Sequence, residues 1–177
     1  MKIDDSGIWD GEVDQPYDAY LSGALSTFLR GNTVADFGCG WQGFYTESLK
    51  ESGIDAVGFD GNPCTKLPLL IADLSRPLII NPVDWVICLE VGEHIPKERE
   101  NALIHNCVSN SLKGVIISWA VPGQKGHGHV NCRPNDYIRE KFALFSYKSD
   151  LKKAYDLRRA SELPWFKNTI MVFRNNN

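Results

Sequence analysis

The segment TVADFGCGWQGFYTESLK, Thr33 to Lys50, constrains the fold more than any other. A short β-branched and aromatic run meets a turn with glycines at 38, 40 and 43, then a stretch of helical character. These glycines satisfy G-x-G-x-x-G, a spacing that lets backbone approach a ligand where a Cβ would fill the space. A glycine-rich turn between strand and helix is also a common structural device, so the motif alone leaves ligand binding and simple turn chemistry both open. It does set a strand–turn–helix unit, whose usual continuation is a parallel strand.

The rest of the chain repeats that alternation. Strand-like runs fall at Thr33–Phe37, Ala56–Phe59, Leu69–Ala72, Trp85–Leu89, Val115–Trp119, Ala143–Tyr147 and Thr169–Phe173. Helical segments are expected at Tyr17–Leu29, Phe44–Ser52, Lys97–Leu112, Asn135–Phe142 and Asp150–Ala160, the third with Leu103, Cys107, Val108 and Leu112 on one face. Continuous apolar strands between amphipathic helices predict an α/β domain: a Rossmann-like, mostly parallel sheet with helices on both faces. In such sheets ligands bind at the carboxyl ends of the strands. Gly61–Pro68, GNPCTKLP, is too short and too rich in Gly and Pro for a full crossover helix and reads as a turn. The NNN end reads as a frayed tail.

At 177 residues the chain reads as one domain, 1–177, with residues 1–30 as an N-terminal cap segment. No apolar run approaches the ~18 residues of a membrane span and the acidic start lacks a signal-peptide core, so a cytoplasmic protein without a membrane partner is expected. The five cysteines are scattered and never in a C-x-x-C pair, which disfavours structural zinc and a disulfide framework. A net charge of −3 without long basic runs argues against a nucleic-acid partner.

Two carboxylates follow the glycine turn in register. Asp60 ends the second strand, 22 residues after Gly38, where an acid can accept from ribose hydroxyls, and Asp73 ends the third in LLIADLS. Either alone is equally well a loop cap. The order VADFGCGWQG, VGFDGNP, IADLS, VDWVICLEVGEHIP resembles the class I S-adenosylmethionine-dependent methyltransferases from about Val34 to Pro96, and the closing strand, helix and NTIMVFR is similar to that family's final hairpin. Asp36 fits the acidic position of the family's first motif. The resemblance implies a seven-stranded sheet with an antiparallel last strand and S-adenosyl-L-methionine lying over Gly38–Gly43. The donor-binding residues it implies are Asp36, Gly38, Cys39, Gly40, Gly43, Asp60, Gly61, Asp73, Leu74 and Leu89.

Methyl transfer to oxygen needs an aligned acceptor and a group that removes its proton or lowers its pKa. At the end of the fourth strand stand Glu90, Glu93 and His94, and after the fifth comes PGQKGHGHVNCRP with His127 and His129. The catalytic candidates are Glu90, His94, His127 and His129. The E-x-x-E-H pattern is similar to that of the polyprenyl-dihydroxybenzoate O-methyltransferases and the small-RNA terminal 2′-O-methyltransferases. That resemblance implies Glu90, Glu93, His94 and His129 as ligands of Mg²⁺ or another divalent cation, with His127 as the other candidate imidazole. A metal-free acid–base role and a purely structural His94 stay open beside it. Gly123, Gly126 and Gly128 suit a loop that reaches over a substrate, or one that is only mobile. Asn131 and Arg133 are further acceptor contacts, whereas His105 and Trp165 read as structural. Tyr17, Tyr20 and Phe28 read first as core residues, and Trp41 as a ligand cover or an edge cap.

The leading expectation is an S-adenosylmethionine-dependent methyltransferase acting on oxygen of a small-molecule acceptor. A protein side chain or glycan is an alternative acceptor. A nicotinamide-dependent oxidoreductase and a non-catalytic donor-binding module are the rival classes. The oligomeric state does not follow from the sequence.

Overall fold

A computed structural model describes residues 2–66 and 68–176. Met1, Leu67 and Asn177 lie outside the described residues, and with them one residue of the expected Gly61–Pro68 turn and the last residue of the expected tail. The chain opens with a hairpin of β1 (Lys2–Ile3) and β2 (Trp9–Asp10) that has no counterpart in the strands expected from sequence. Then come α1 (Ala19–Leu29), β3 (Thr33–Phe37), α2 (Phe44–Glu51), β4 (Asp55–Asp60), β5 (Leu70–Ile71) and β6 (Val83–Cys88). A 3₁₀ turn at Lys97–Arg99 leads into α3 (Glu100–Ser109), then β7 (Ser111–Ile117) and α4 (Asn135–Ala143). The chain finishes with β8 (Tyr147–Ser149), α5 (Leu151–Ala160), the short α6 (Phe166–Thr169) and β9 (Met171–Asn175).

Among the described residues the main sheet runs β5-β4-β3-β6-β7-β9-β8. Its left half and centre are parallel, and β9 runs antiparallel to both β7 and β8. Successive side chains of a strand point to opposite faces, so each central strand feeds two cores. Val34, Trp85, Ile87 and Ile116 pack with α1, α2 and α5, while Ala35, Phe37, Val86, Cys88, Val115 and Ile117 pack with α3 and α4. The order reverses between β3 and β6, and that switch point opens a crevice at the carboxyl ends of both strands.

Several element boundaries differ from the sequence expectation. The strand expected at Ala143–Tyr147 is mostly the end of α4 and a turn: Leu144 is exposed, Ser146 is left-handed at φ 65°, and only Tyr147 enters β8. Short apolar runs do not by themselves separate strand from helix end. The helix expected through Leu112 stops at Ser109. Asn110 turns its amide onto the carbonyls of Asn106 and Leu78, and Ser111 and Leu112 belong to β7. Thr169, expected in the last strand, closes α6. Asn175, expected in the tail, ends β9. Tyr20 is exposed and Tyr17 half so, whereas Phe28 packs on Trp85, so only the last of these aromatics joins the core.

Candidate active site

The glycine turn is built by two carboxylates beneath it. Gly38 stands at φ 79° and a Cβ there would lie 2.2 Å from Val91 Cγ2, so the position combines a left-handed backbone with close approach of the β6 loop. The amides of Gly38 and Cys39 both donate to Phe59 O, at 2.7 and 3.1 Å, tying the turn to β4. Asp60 accepts from the amides of Gly40 and Asn62, both at 2.8 Å, and burial raises its carboxyl above the ordinary range. Asp36 is buried, accepts from Thr46 Oγ1 at 2.7 Å, and is pushed up to about 7 by burial, with Asp60 adding to the shift. Asp73 turns back onto the amide of Ser75 at 2.9 Å and pairs with the exposed Arg76 at 3.0 Å.

A cavity of about 380 Å³ lies over this turn, within the range of small-ligand sites. Asp36, Gly38, Cys39, Asp60 and Gly61 line it, and Asp73, Leu74 and Leu89 continue the same wall. Gly40 and Gly43 shape the turn without lining the cavity; Gln15 covers the first and Leu69 packs on the second. Residues 8–16 pass across the opening, and Ile8, Trp9, Val13 and Gln15 line it. This strap is fastened by Trp41 Nε1 donating to Val13 O at 2.8 Å and Asn62 Nδ2 donating to Gly11 O at 2.8 Å. Trp41 thus anchors the cover. Within the expected cap segment the lining includes Ile8 and Trp9, the one apolar doublet in an acidic stretch, a pair that no periodic pattern marks in the sequence.

The other end of the cavity holds the second cluster. Glu90 follows β6 with φ 53°, a conformation rare outside glycine, and its amide donates to Ser118 Oγ at 2.8 Å. Its Oε2 accepts from Gln124 Nε2 at 2.8 Å and its Oε1 from Thr169 Oγ1 at 3.4 Å. Glu93 is fully buried, and neither carboxyl oxygen has a hydrogen-bond partner among the described residues. Burial first, and the neighbouring Glu90 second, push it well above the usual carboxylate range.

His94 Nδ1 lies 3.2 Å from Gly128 O, and burial lowers its pKa to about 4, which leaves the ring neutral at neutral pH. His129 Nδ1 lies 3.1 Å from Gln124 O, and its Nε2 lies 4.0 Å from Glu93 Oε1, wider than a hydrogen bond. One donor atom each of Glu93, His94 and His129 falls within 4.8 Å of the others. Glu90 does not belong to that group. His127 stands apart, its ring 5.7 Å from Trp9, whose indole also meets His94 edge-on at 5.1 Å.

The loop after β7 reaches this cluster because three fastenings hold it. The amides of Val130 and Asn131 both donate to Glu93 O at 2.9 Å, and Trp119 Nε1 donates to Asn131 O at 2.6 Å. Glu100 then takes Asn131 Nδ2 at 3.1 Å, Arg133 through Nε at 2.9 Å and Nη2 at 2.7 Å, and the Tyr137 hydroxyl. Burial raises the Glu100 carboxyl, but these hydrogen bonds outweigh it and hold the group low. Asn131 and Arg133, expected to touch an acceptor, are therefore committed to Glu100. Trp165, expected to be structural, lines the cavity with Phe166, while His105 is exposed on α3 and away from it.

No family model matches the sequence, and no curated protein matches it. Solved structures do. Magnesium protoporphyrin IX methyltransferase from Synechocystis PCC 6803, with bound S-adenosylhomocysteine, aligns with a TM-score of 0.65 at 19% identity over 88% of this chain and 80% of that one. A methyltransferase from Archaeoglobus fulgidus aligns at 0.63 and 15% identity over 88% and 93%. The N-methyltransferase NodS from Bradyrhizobium japonicum aligns at 0.61 and 14% identity over 89% and 84%. Strand order, glycine turn and these alignments agree that the chain has the class I S-adenosylmethionine-dependent methyltransferase fold.

Proposed function

We propose that the protein transfers a methyl group from S-adenosyl-L-methionine to an oxygen of a small-molecule acceptor, with a divalent cation assisting at the end of β6. The observation that carries this reading is one cavity that joins the glycine turn and Asp60 to Glu90, His94, His127 and His129. The similar structures with bound S-adenosylhomocysteine or S-adenosylmethionine support the donor. The fully buried Glu93, without a partner for either oxygen among the described residues, supports the cation, because a carboxyl group so placed is stabilised by a proton or an ion. Such an ion would lower the pKa of a hydroxyl brought to it.

In this reading the glycine turn and Asp60 hold the donor, and Trp9 and the strap exclude water from the transfer. The acceptor oxygen attacks the methyl carbon in line as the carbon–sulfur bond breaks, leaving S-adenosylhomocysteine. The hydroxyl proton passes to an imidazole facing the cavity, His127 being the one outside the buried cluster. The five free cysteines suit a reducing, cytoplasmic setting. Methyl-labelled donor incubated with fractionated metabolite extract tests the function: label is expected in a small product and to disappear on full chelation. Label in product that survives chelation removes the cation, and binding of NAD without binding of S-adenosylhomocysteine removes the transferase.

A further inference from the structure

We infer that Ile3 is a positioning residue of the acceptor end: through Gly128 it fixes the His94 ring, while Ile8 of the same hairpin serves the donor end. The inference rests on the transferase reading above and holds with or without the cation.

The hairpin keeps its own shape. Asp4 Oδ1 accepts from the amides of Ser6 and Ile8 at 2.7 and 3.0 Å, and the Asp4 amide donates to Ile8 O at 3.0 Å. One carboxylate thus organises the turn of residues 4–8 and sets the spacing of the two isoleucines at its ends. Arg99 Nη1 donates to Ser6 Oγ at 2.9 Å and ties this turn to the body.

Each isoleucine rests on a glycine of a different loop. A Cβ on Gly61, after β4, would lie 2.6 Å from Ile8 Cγ1, and a Cβ on Gly128, after β7, would lie 2.3 Å from Ile3 Cδ1. Gly61 lines the cavity beside Asp60, whereas Gly128 belongs to the histidine loop. The two contacts therefore serve different ends of the site. Ile3 does not itself line the cavity, so it acts through Gly128.

Around His94 the hairpin closes from three sides. Gly128 O lies 3.2 Å from His94 Nδ1, and a carbonyl only accepts, so that nitrogen carries the proton and the lone pair is on Nε2. Gly7 packs on the His94 carbonyl, where a Cβ would lie 2.2 Å from the oxygen. Trp9 meets the ring edge-on at 5.1 Å between centroids. His94 lines the cavity, so a ring held in this tautomer can accept from an acceptor hydroxyl and keep it aligned for in-line attack.

The test is imidazole nitrogen resonance of the isotope-labelled, chelator-treated full chain without ligand, with His94→Gln identifying the His94 signals. In the wild type and in Ile8→Ala, His94 is expected to show one tautomer, protonated at Nδ1. In Ile3→Ala its two nitrogen shifts are expected to move towards each other as the tautomers mix. By calorimetry, affinity for S-adenosylhomocysteine is expected to change less than about twofold in Ile3→Ala and to fall about tenfold in Ile8→Ala. With donor saturating, label transfer in the extract assay is expected to fall about tenfold or more in Ile3→Ala. Circular dichroism checks the folding of each variant. Where Ile3→Ala unfolds, Ile3→Val, which removes only the Cδ1 that meets Gly128, takes its place with the same expectations. A mixed tautomer in the wild type, an unmoved one in the Ile3 variant, unchanged label transfer there, or equal losses of S-adenosylhomocysteine affinity in the Ile3 and Ile8 variants would overturn the inference. Absence of S-adenosylhomocysteine binding in the wild type sinks the transferase reading, while the His94 tautomer still decides what Ile3 fixes.

Discussion

At the scale of single residues, the site is shaped by groups whose burial and partners are out of balance. Asp36 is the clearest case for stability. Its folded pKa of about 7 stands above the ordinary aspartate value of 3.8, so the unfolded chain loses the proton first as pH rises. Its contribution is therefore neutral below pH ~4 and becomes destabilising between pH ~4 and ~7, by an amount on the order of 4 kcal/mol from the shift alone. Asp36→Asn keeps an acceptor for Thr46 and cannot ionise. Urea midpoints from pH 4 to 8 are expected to fall less steeply for this variant than for the wild type, and parallel curves would contradict the assignment. Gly92 presents the opposite kind of constraint: a Cβ there would lie 2.3 Å from the ring of the fully buried Trp119. Gly92→Ala is expected to cost ~1–3 kcal/mol by overpacking and to displace Glu93 and His94 next to it, read by urea unfolding. The glycine turn was legible because its glycines are spaced along one strand–turn–helix unit, and Asp36 and Asp60 were legible as carboxylates near the ends of β3 and β4. The bonds of Glu90 to Gln124 and Thr169 were not, because they depend on one backbone torsion and on partners remote in sequence.

At the scale of elements, the strap of residues 2–16 is the part that local sequence announced least. Its strands pair over only two residues each, and its hold on the body comes from Trp41, Asn62 and the contact of Gly7 with the His94 carbonyl, where a Cβ would lie 2.2 Å away. Such an element has little periodic pattern to read, since its apolar residues face a ligand cavity instead of a core. A chain starting at Asp14 is expected to keep the central sheet and to bind S-adenosylhomocysteine at least about tenfold more weakly. Calorimetry against the full chain measures the loss, and unchanged affinity would show that the strap does not cover the donor. Asp18, just beyond the strap, caps α1 through Leu21 N and also accepts from Ser161 Oγ, Glu162 N and Leu163 N, which fixes the approach to α6 and the Trp165–Phe166 wall.

At the scale of the whole molecule, the mostly parallel sheet with helices on both faces was readable because alternating apolar strands and amphipathic helices leave few arrangements. The antiparallel run of β9 came only with the resemblance to known chains, and its place between β7 and β8, like the exact ends of α3 and α4, with the structure. A ligand that binds the folded state alone stabilises all of it by mass action. S-adenosylhomocysteine at a hundred times its dissociation constant is expected to add ~2.7 kcal/mol, a rise in Tm of roughly 5–10 °C for a domain of this size. A melting scan with S-adenosylhomocysteine, NAD and no ligand separates the donor classes in one measurement. Among the described residues no helix is long and apolar enough to cross a membrane.

The left-handed torsion of Glu90 has a consequence for laboratory evolution. A glutamate held at φ 53° stores ~1–2 kcal/mol that glycine would release. A selection for heat tolerance alone is therefore drawn to Glu90→Gly, whereas, if the cavity carries the proposed transfer, a selection for turnover is drawn back to the side chain on its wall. A library passed alternately through both screens would oscillate at this codon while its neighbours stayed fixed, so the position itself would record which pressure the chain had last met.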